Sequence, residues 1–257
     1  GGSTTFGVAS SSNISTIPGF LQEYYSTRTE LNVEVINAGI PKAFSYTESN
    51  YIKNKLLEYD PDLLIIYDGW NDLSRSSDTY YEDSGDSGLF SKMLRIMMKN
   101  PYYESGGILF KNYNVWRADT TDHVKLMNFE DIDQRVKLWK QTWIEICEQG
   151  KRENFDVIVT LQPLLGTGTK SLTEEEQKNH VYYNQDIALP NYEKYTSAVN
   201  ELKSYCTNTA DLRNSFDHNL ETIYFDNGHV GDLGNKIIAE KLFELSLPIV
   251  MKNHTLP

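Results

Sequence analysis

Short apolar runs alternate with longer amphipathic stretches along this chain. Asn32 to Ile36 (NVEVI), Asp62 to Tyr67 (DLLIIY), Phe155 to Leu161 (FDVIVTL) and Thr222 to Phe225 (TIYF) are rich in branched or aromatic residues. Each is bounded by Gly, Pro, Asn or Asp, which predicts strands. Between them, apolar residues recur every three or four positions. Tyr51, Ile52, Leu56 and Leu57 share a helical face behind a capping box at Ser45-Tyr46-Thr47-Glu48. Val136, Trp139, Trp143 and Ile146 stripe a helix over 132–147, and Leu233, Ile237, Ile238, Leu242 and Leu245 stripe a closing helix over 233–245. Strands alternating with helices predict an α/β fold: a parallel sheet covered by helices.

The alternation breaks once. About 73–131 separates the DLLIIY strand from the next helix, where a connection of about 2–6 residues is usual. Its first part is polar (SRSSDTYYEDSGDSG) and its middle aromatic, including Phe90, Tyr102, Phe110 and Trp116. We read 1–257 as one domain carrying an insertion here, a lid, a substrate-facing subdomain or an irregular surface excursion.

Composition narrows the class. With 39% hydrophobic and 12% aromatic residues, the chain can bury a core. A net charge of −12 without a basic run speaks against nucleic acid and anionic membranes as partners. Apolar runs such as Leu63 to Tyr67 fall far short of the roughly 20 residues of a membrane helix. Cys147 and Cys206 are compatible with one disulfide or two buried thiols. Asn13-Ile14-Ser15 and Asn253-His254-Thr255 match the glycosylation pattern, which points towards a secreted or surface protein. The start at Gly1 rather than Met points to a processed or truncated chain.

Four blocks carry candidate chemistry. In Gly1-Gly2-Ser3-Thr4-Thr5-Phe6-Gly7, glycines around a serine permit the tight turn that an exposed nucleophile needs. In Asp226-Asn227-Gly228-His229, an Asp three residues ahead of a His can accept its Nδ1–H and leave Nε2 free as a base. Asp68-Gly69-Trp70-Asn71-Asp72 follows a strand, and Asn71 can donate a side-chain N–H to a developing oxyanion. Gly39, in Asn37-Ala38-Gly39-Ile40-Pro41, can offer a backbone N–H to the same charge. Taken singly, each block also suits ordinary turn chemistry. Together, those that follow strands lie at the carboxyl edge where open α/β sheets gather ligands.

The order Ser3, Gly39, Asn71, His229 resembles the SGNH hydrolases, or GDSL esterase/lipase superfamily. The Gly69 to Asp72 and Asp226 to His229 blocks are the specific parts of the match. The resemblance implies a three-layer, flavodoxin-like α/β/α sandwich and a carboxylic ester hydrolase working through an acyl-serine. Ser3 would be nucleophile, His229 base and Asp226 its orienter, with Ser3, Gly39 and Asn71 forming the oxyanion hole. Small-molecule, glycan and lipid esters all fit. An acyltransferase acting on glycan hydroxyls and a non-catalytic module keeping the fold are the alternatives. Three departures stand out. Gly2 replaces the family's usual Asp, and Lys42 or Ala43 stands where a further glycine often follows the Gly39 turn. The family's first strand, which runs into the serine, is expected upstream of Gly1.

Gly166-Thr167-Gly168-Thr169-Lys170-Ser171 invites a phosphate-loop reading but lacks the required glycines at Leu164 and Thr169. Ser171 to Glu174 reads better as a capping box, and Glu174 to Glu176 would repel phosphate. The loop leaves a strand's carboxyl end and is a candidate wall of the substrate cleft. No His/Cys cluster has metal spacing, so neither metal nor cofactor is expected. Asp217-His218 is a lesser candidate pair, and His123 and His180 have no comparable setting.

Overall fold

A computed structural model of the protein describes residues 1–77 and 128–255. In chain order its elements are α1 (Ser3–Phe6), α2 (Ile17–Arg28), α3 (Ser45–Asn54), β1 (Leu63–Asp68), α4 (Trp70–Ser74), α5 (Ile132–Glu153) and β2 (Asp156–Leu161). There follow α6 (Glu174–Tyr182), α7 (Gln185–Tyr192), α8 (Lys194–Leu202), β3 (Asn208–Asp211) and α9 (Asp232–Thr255). The three strands form a parallel sheet in the order β1-β2-β3. Leu63 registers with Asp156, and Ile158 with Asn208.

Side chains leave the sheet alternately. Leu64 and Ile66 join Val157, Val159, Trp139 and Trp143 in one core, against α3, α5, α7 and α8. Ile65 and Tyr67 join Tyr25, Ile238 and Leu242 in a second, against α2 and α9. Burial on both faces is why these strands read as continuous apolar runs. The result is the α/β/α sandwich with a parallel sheet that the sequence implies. Among the described residues, no helix is long and apolar enough to cross a membrane.

Two predicted strands take another form. Residues 32–36 are outside the ladders, and a carboxamide serves them instead: Gln22 Nε2 donates to Val33 O (3.0 Å) and Val35 N donates to Gln22 Oε1 (2.7 Å). A cavity of about 620 Å³, lined by Leu21, Val33, Val35, Ile65, Tyr67 and Leu242 among others, lies between this segment and β1. Residues 222–225 form a single antiparallel bridge, Tyr224 with Val230. There the N–H groups of Ile223 and Tyr224 both reach Glu176 Oε1 (2.8 and 3.2 Å). Consecutive strand amides point opposite ways, so two converging on one oxygen depart from the pleat.

Both expected capping boxes move. Ser45 gives its hydroxyl and N–H to buried Asp72, so the cap shifts to Phe44 N donating to Thr47 Oγ1 (2.9 Å). The second box pairs Thr173 with Glu176 rather than Ser171 with Glu174. Cys147 and Cys206 form a disulfide joining α5 to the turn before β3.

Most of the expected 73–131 insertion, with His123, lies outside the described residues. Its two ends meet at Arg135, whose buried guanidinium donates to Leu73 O (2.6 Å), Asp131 Oδ1 (2.7 Å) and Asn128 O. Burial works against the Asp131 carboxylate, but Arg135 and Ser77 hold its pKa down to about 2.

Candidate active site

The sheet's carboxyl edge gathers segments from both ends of the chain. Gly2 caps α1, so Ser3 opens that helix, and Gly7 ends it with φ 102°. At the other end, Phe225 N donates to His229 O (3.0 Å) and Gly231 N to Ile223 O (3.2 Å), folding Asp226 and His229 into a tight hairpin.

Ser3 Oγ lies 2.7 Å from His229 Nε2, across 226 residues of sequence. His229 Nδ1 lies 2.6 Å from Asp226 Oδ2, while Asp226 Oδ1 accepts from the N–H groups of Gly228 (2.8 Å) and His229 (2.7 Å). Burial alone would raise the Asp226 pKa, but the His229 ring and these amides hold it below the usual aspartate value. An ionised Asp226 requires the proton on Nδ1, leaving Nε2 to accept from the serine hydroxyl. The His229 side chain is 21% exposed, so the assembly is reachable from solvent.

Asn71 stands beside this chain of hydrogen bonds. A Cβ on Gly2 would fall 2.6 Å from Asn71 Nδ2, so the missing side chain makes room for the carboxamide. Gly69, at φ 126°, turns the backbone from β1 into α4; a side chain there would also strike Leu161 and the Tyr192 hydroxyl. Buried Asp72 fastens α4 to Ser45, and Asn71 Nδ2 donates to Ala43 O (2.6 Å). One Nδ2 hydrogen is thereby used and a second remains. Asp68, also buried, accepts from Trp139 Nε1 (3.0 Å); burial and the Asp72 charge push its pKa well up.

Gly39 packs directly on α1, but its N–H donates to Asn37 Oδ1 (3.0 Å). That donor is engaged in the structure, a detail the sequence did not disclose. Ser3, Gly39, Asn71, Asp226 and His229 are otherwise brought to one place. Asp217 serves elsewhere, accepting from Thr169 N (2.8 Å) and tying down the 166–171 loop. His180 sits near Gly166, 4.0 Å from Asp186. Sequence reasoning missed Glu176, treated there only as a charge unfriendly to phosphate. Its location three residues after a Thr, in a capping box, was the available signal.

No family model matches the sequence, and no curated protein matches it. Solved structures do. An acetyl xylan esterase, AlAXEase, matches with TM-score 0.56 at 16% identity, over 95% of this chain and 96% of its own. BT4096, a gut microbial diltiazem-metabolizing enzyme, matches with TM-score 0.57 at 14% identity, over 95% of this chain and 44% of its own. An Axe2 acetylxylan esterase from Geobacillus stearothermophilus, in its S15A form, matches with TM-score 0.53 at 13% identity, over 89% and 79%. The chain therefore shares the fold of these three proteins.

Proposed function

We propose that the chain is a serine hydrolase of carboxylic esters, with Ser3, His229 and Asp226 as its catalytic residues. The observation that carries this reading is the 2.7 Å approach of Ser3 Oγ to His229 Nε2. His229 takes the hydroxyl proton as Ser3 Oγ attacks the ester carbonyl. The tetrahedral oxyanion accepts from Ser3 N–H and from the second Nδ2 hydrogen of Asn71. Gly39 N–H joins them once it exchanges Asn37 Oδ1 for the substrate. Collapse of the intermediate expels the alcohol, which leaves with the proton held on His229 Nε2. A water molecule, deprotonated by His229, then attacks the acyl-serine and regenerates Ser3.

The substrate class we favour is an acetylated glycan. Two of the structures sharing this fold are acetyl xylan esterases. Ser3→Ala should abolish release of acetate from an aryl acetate and from acetylated xylo-oligosaccharide, with an unchanged melting temperature. Undiminished turnover in that variant would end the proposal. Asn71→Ala should lower kcat about 100-fold, as loss of single oxyanion donors does. A wild-type rate would remove Asn71 from the mechanism.

A further inference from the structure

The hairpin that presents Asp226 and His229 has little sheet to rest on. It carries one bridge pair, and its apolar side chains Ile223, Tyr224 and Val230 pack into the second core. The backbone amides of its approach arm are held by a buried carboxylate. Glu176 Oε1 accepts from Ile223 N (2.8 Å) and Tyr224 N (3.2 Å), and Oε2 accepts from Thr173 N (3.1 Å) and Lys170 Nζ (2.6 Å). Both members of the ion pair are inside the protein, their side chains 0% and 2% exposed. From the same helix, Asn179 Nδ2 donates to Phe225 O (3.2 Å). Residues three apart on a helix share a face, so α6 grips the arm at two successive points.

We propose that Glu176 is a positioning residue for the Asp226–His229 pair, an inference that rests on the esterase reading above. Its carboxylate does for residues 223 and 224 what a neighbouring strand would do. It fixes the arm two residues ahead of Asp226, and Lys170 neutralises the charge that this requires. Hydrogen bonds to an ionised carboxylate are roughly twice as strong as those between neutral groups. Small displacements of a catalytic base cost heavily in rate, on the order of 100-fold for about 1 Å.

The test compares two charge-neutral pairs. Lys170→Met with Glu176→Gln keeps an acceptor oxygen for Ile223 and Tyr224. Lys170→Met with Glu176→Met removes it, and neither leaves an unpaired buried charge. On aryl acetate the Gln pair should keep kcat within about threefold of wild type. The Met pair should lose at least about tenfold in kcat with KM within about twofold. The low-field proton resonance of the His229 Nδ1–H···Asp226 bond should persist in the Gln pair and vanish in the Met pair. Equal kcat in the two pairs, or a resonance retained in the folded Met pair, would overturn the proposal. If the Met pair does not fold, amide exchange in the wild type decides. Ile223 and Tyr224 should exchange as slowly as Val159 in β2, and exchange at free-loop rates would overturn it. A wild type inactive on every ester would sink the esterase reading alone, because the resonance and the exchange rates report the clamp without turnover.

Discussion

A methyl group on Gly39 would fall 2.2 Å from Phe6 N and 2.7 Å from the Thr5 carbonyl carbon. Both are backbone atoms of the helix that opens with Ser3, so no side-chain rotation relieves the clash. Gly39→Ala should displace α1, lowering kcat at least about tenfold and stability by roughly 1–3 kcal/mol. Kinetics paired with urea unfolding checks this, and a variant matching wild type in both would show that α1 yields freely. Asp226→Asn tests a different residue. The amide preserves shape but favours the wrong imidazole tautomer, and kcat should fall by up to about 10⁴ if the proposed base depends on its partner. A loss below about tenfold would make Asp226 a structural loop residue. These positions were legible because each block is local: a serine among glycines, an Asp three before a His, an Asn after a strand and a glycine turn. Glu176 was not, because its meaning depends on amides 47 and 48 residues away. The engagement of Gly39 N–H by Asn37 was hidden for a subtler reason. Both residues were in view, but only the loop's conformation turns the side chain back on the amide.

Elements were legible where burial sets the period. β1 and β2 fall within a residue of their expected bounds, and α5 and α9 begin as closely but run on to Glu153 and Thr255; each packs apolar residues into a core. β3 escaped notice because Asn208-Thr209-Ala210-Asp211 is a polar edge strand with Thr209 alone buried. Residues 32–36 and 222–225 have strand composition, yet a Gln and a Glu side chain satisfy their amides, and such pairing leaves no periodic trace. The acid response of the second clamp follows from its pKa. Burial pushes Glu176 up, but Lys170 and the amides of Ile223, Thr173 and Tyr224 hold it below its ordinary 4.5. A depressed folded-state pKa stabilises fully above the unfolded value and loses that contribution as pH falls through the folded one. Urea unfolding from pH 5.5 to 3.5 should therefore show a shallower loss of stability in the Lys170→Met/Glu176→Gln pair than in the wild type. Parallel curves would mean that Glu176 does not titrate in that window. The disulfide also acts between elements, tying α5 to the start of β3 across 59 residues. Closing such a loop is worth about 4 kcal/mol in the chain-entropy account and commonly about 2–4 in practice. Cys147→Ala/Cys206→Ala should lower the unfolding free energy by that amount, and an unchanged value would show that the bond constrains nothing in the unfolded chain.

At the scale of the whole molecule, the order of elements carried the fold. The layering was readable because both faces of β1 and β2 are apolar. The apolar cavity between β1 and residues 32–36 was not, since it depends on how far apart two well-formed segments stand. What the molecule does as a whole to an approaching substrate follows from its charge. The balance of 24 basic against 36 acidic residues gives −12 at pH 7. Such a field repels an anionic ester at long range and leaves a neutral one unaffected, and salt removes the difference. A matched pair of aryl acetates, one carrying a sulfonate on the ring far from the ester, separates this effect from pocket contacts. At about 10 mM salt the Debye length is about 30 Å, and kcat/KM for the sulfonated ester should be several-fold below that of its neutral twin. At about 1 M salt the length is about 3 Å and the two values should converge. A gap that survives high salt would place the discrimination in the pocket, and equal values at low salt would mean that the net charge is remote from the entrance.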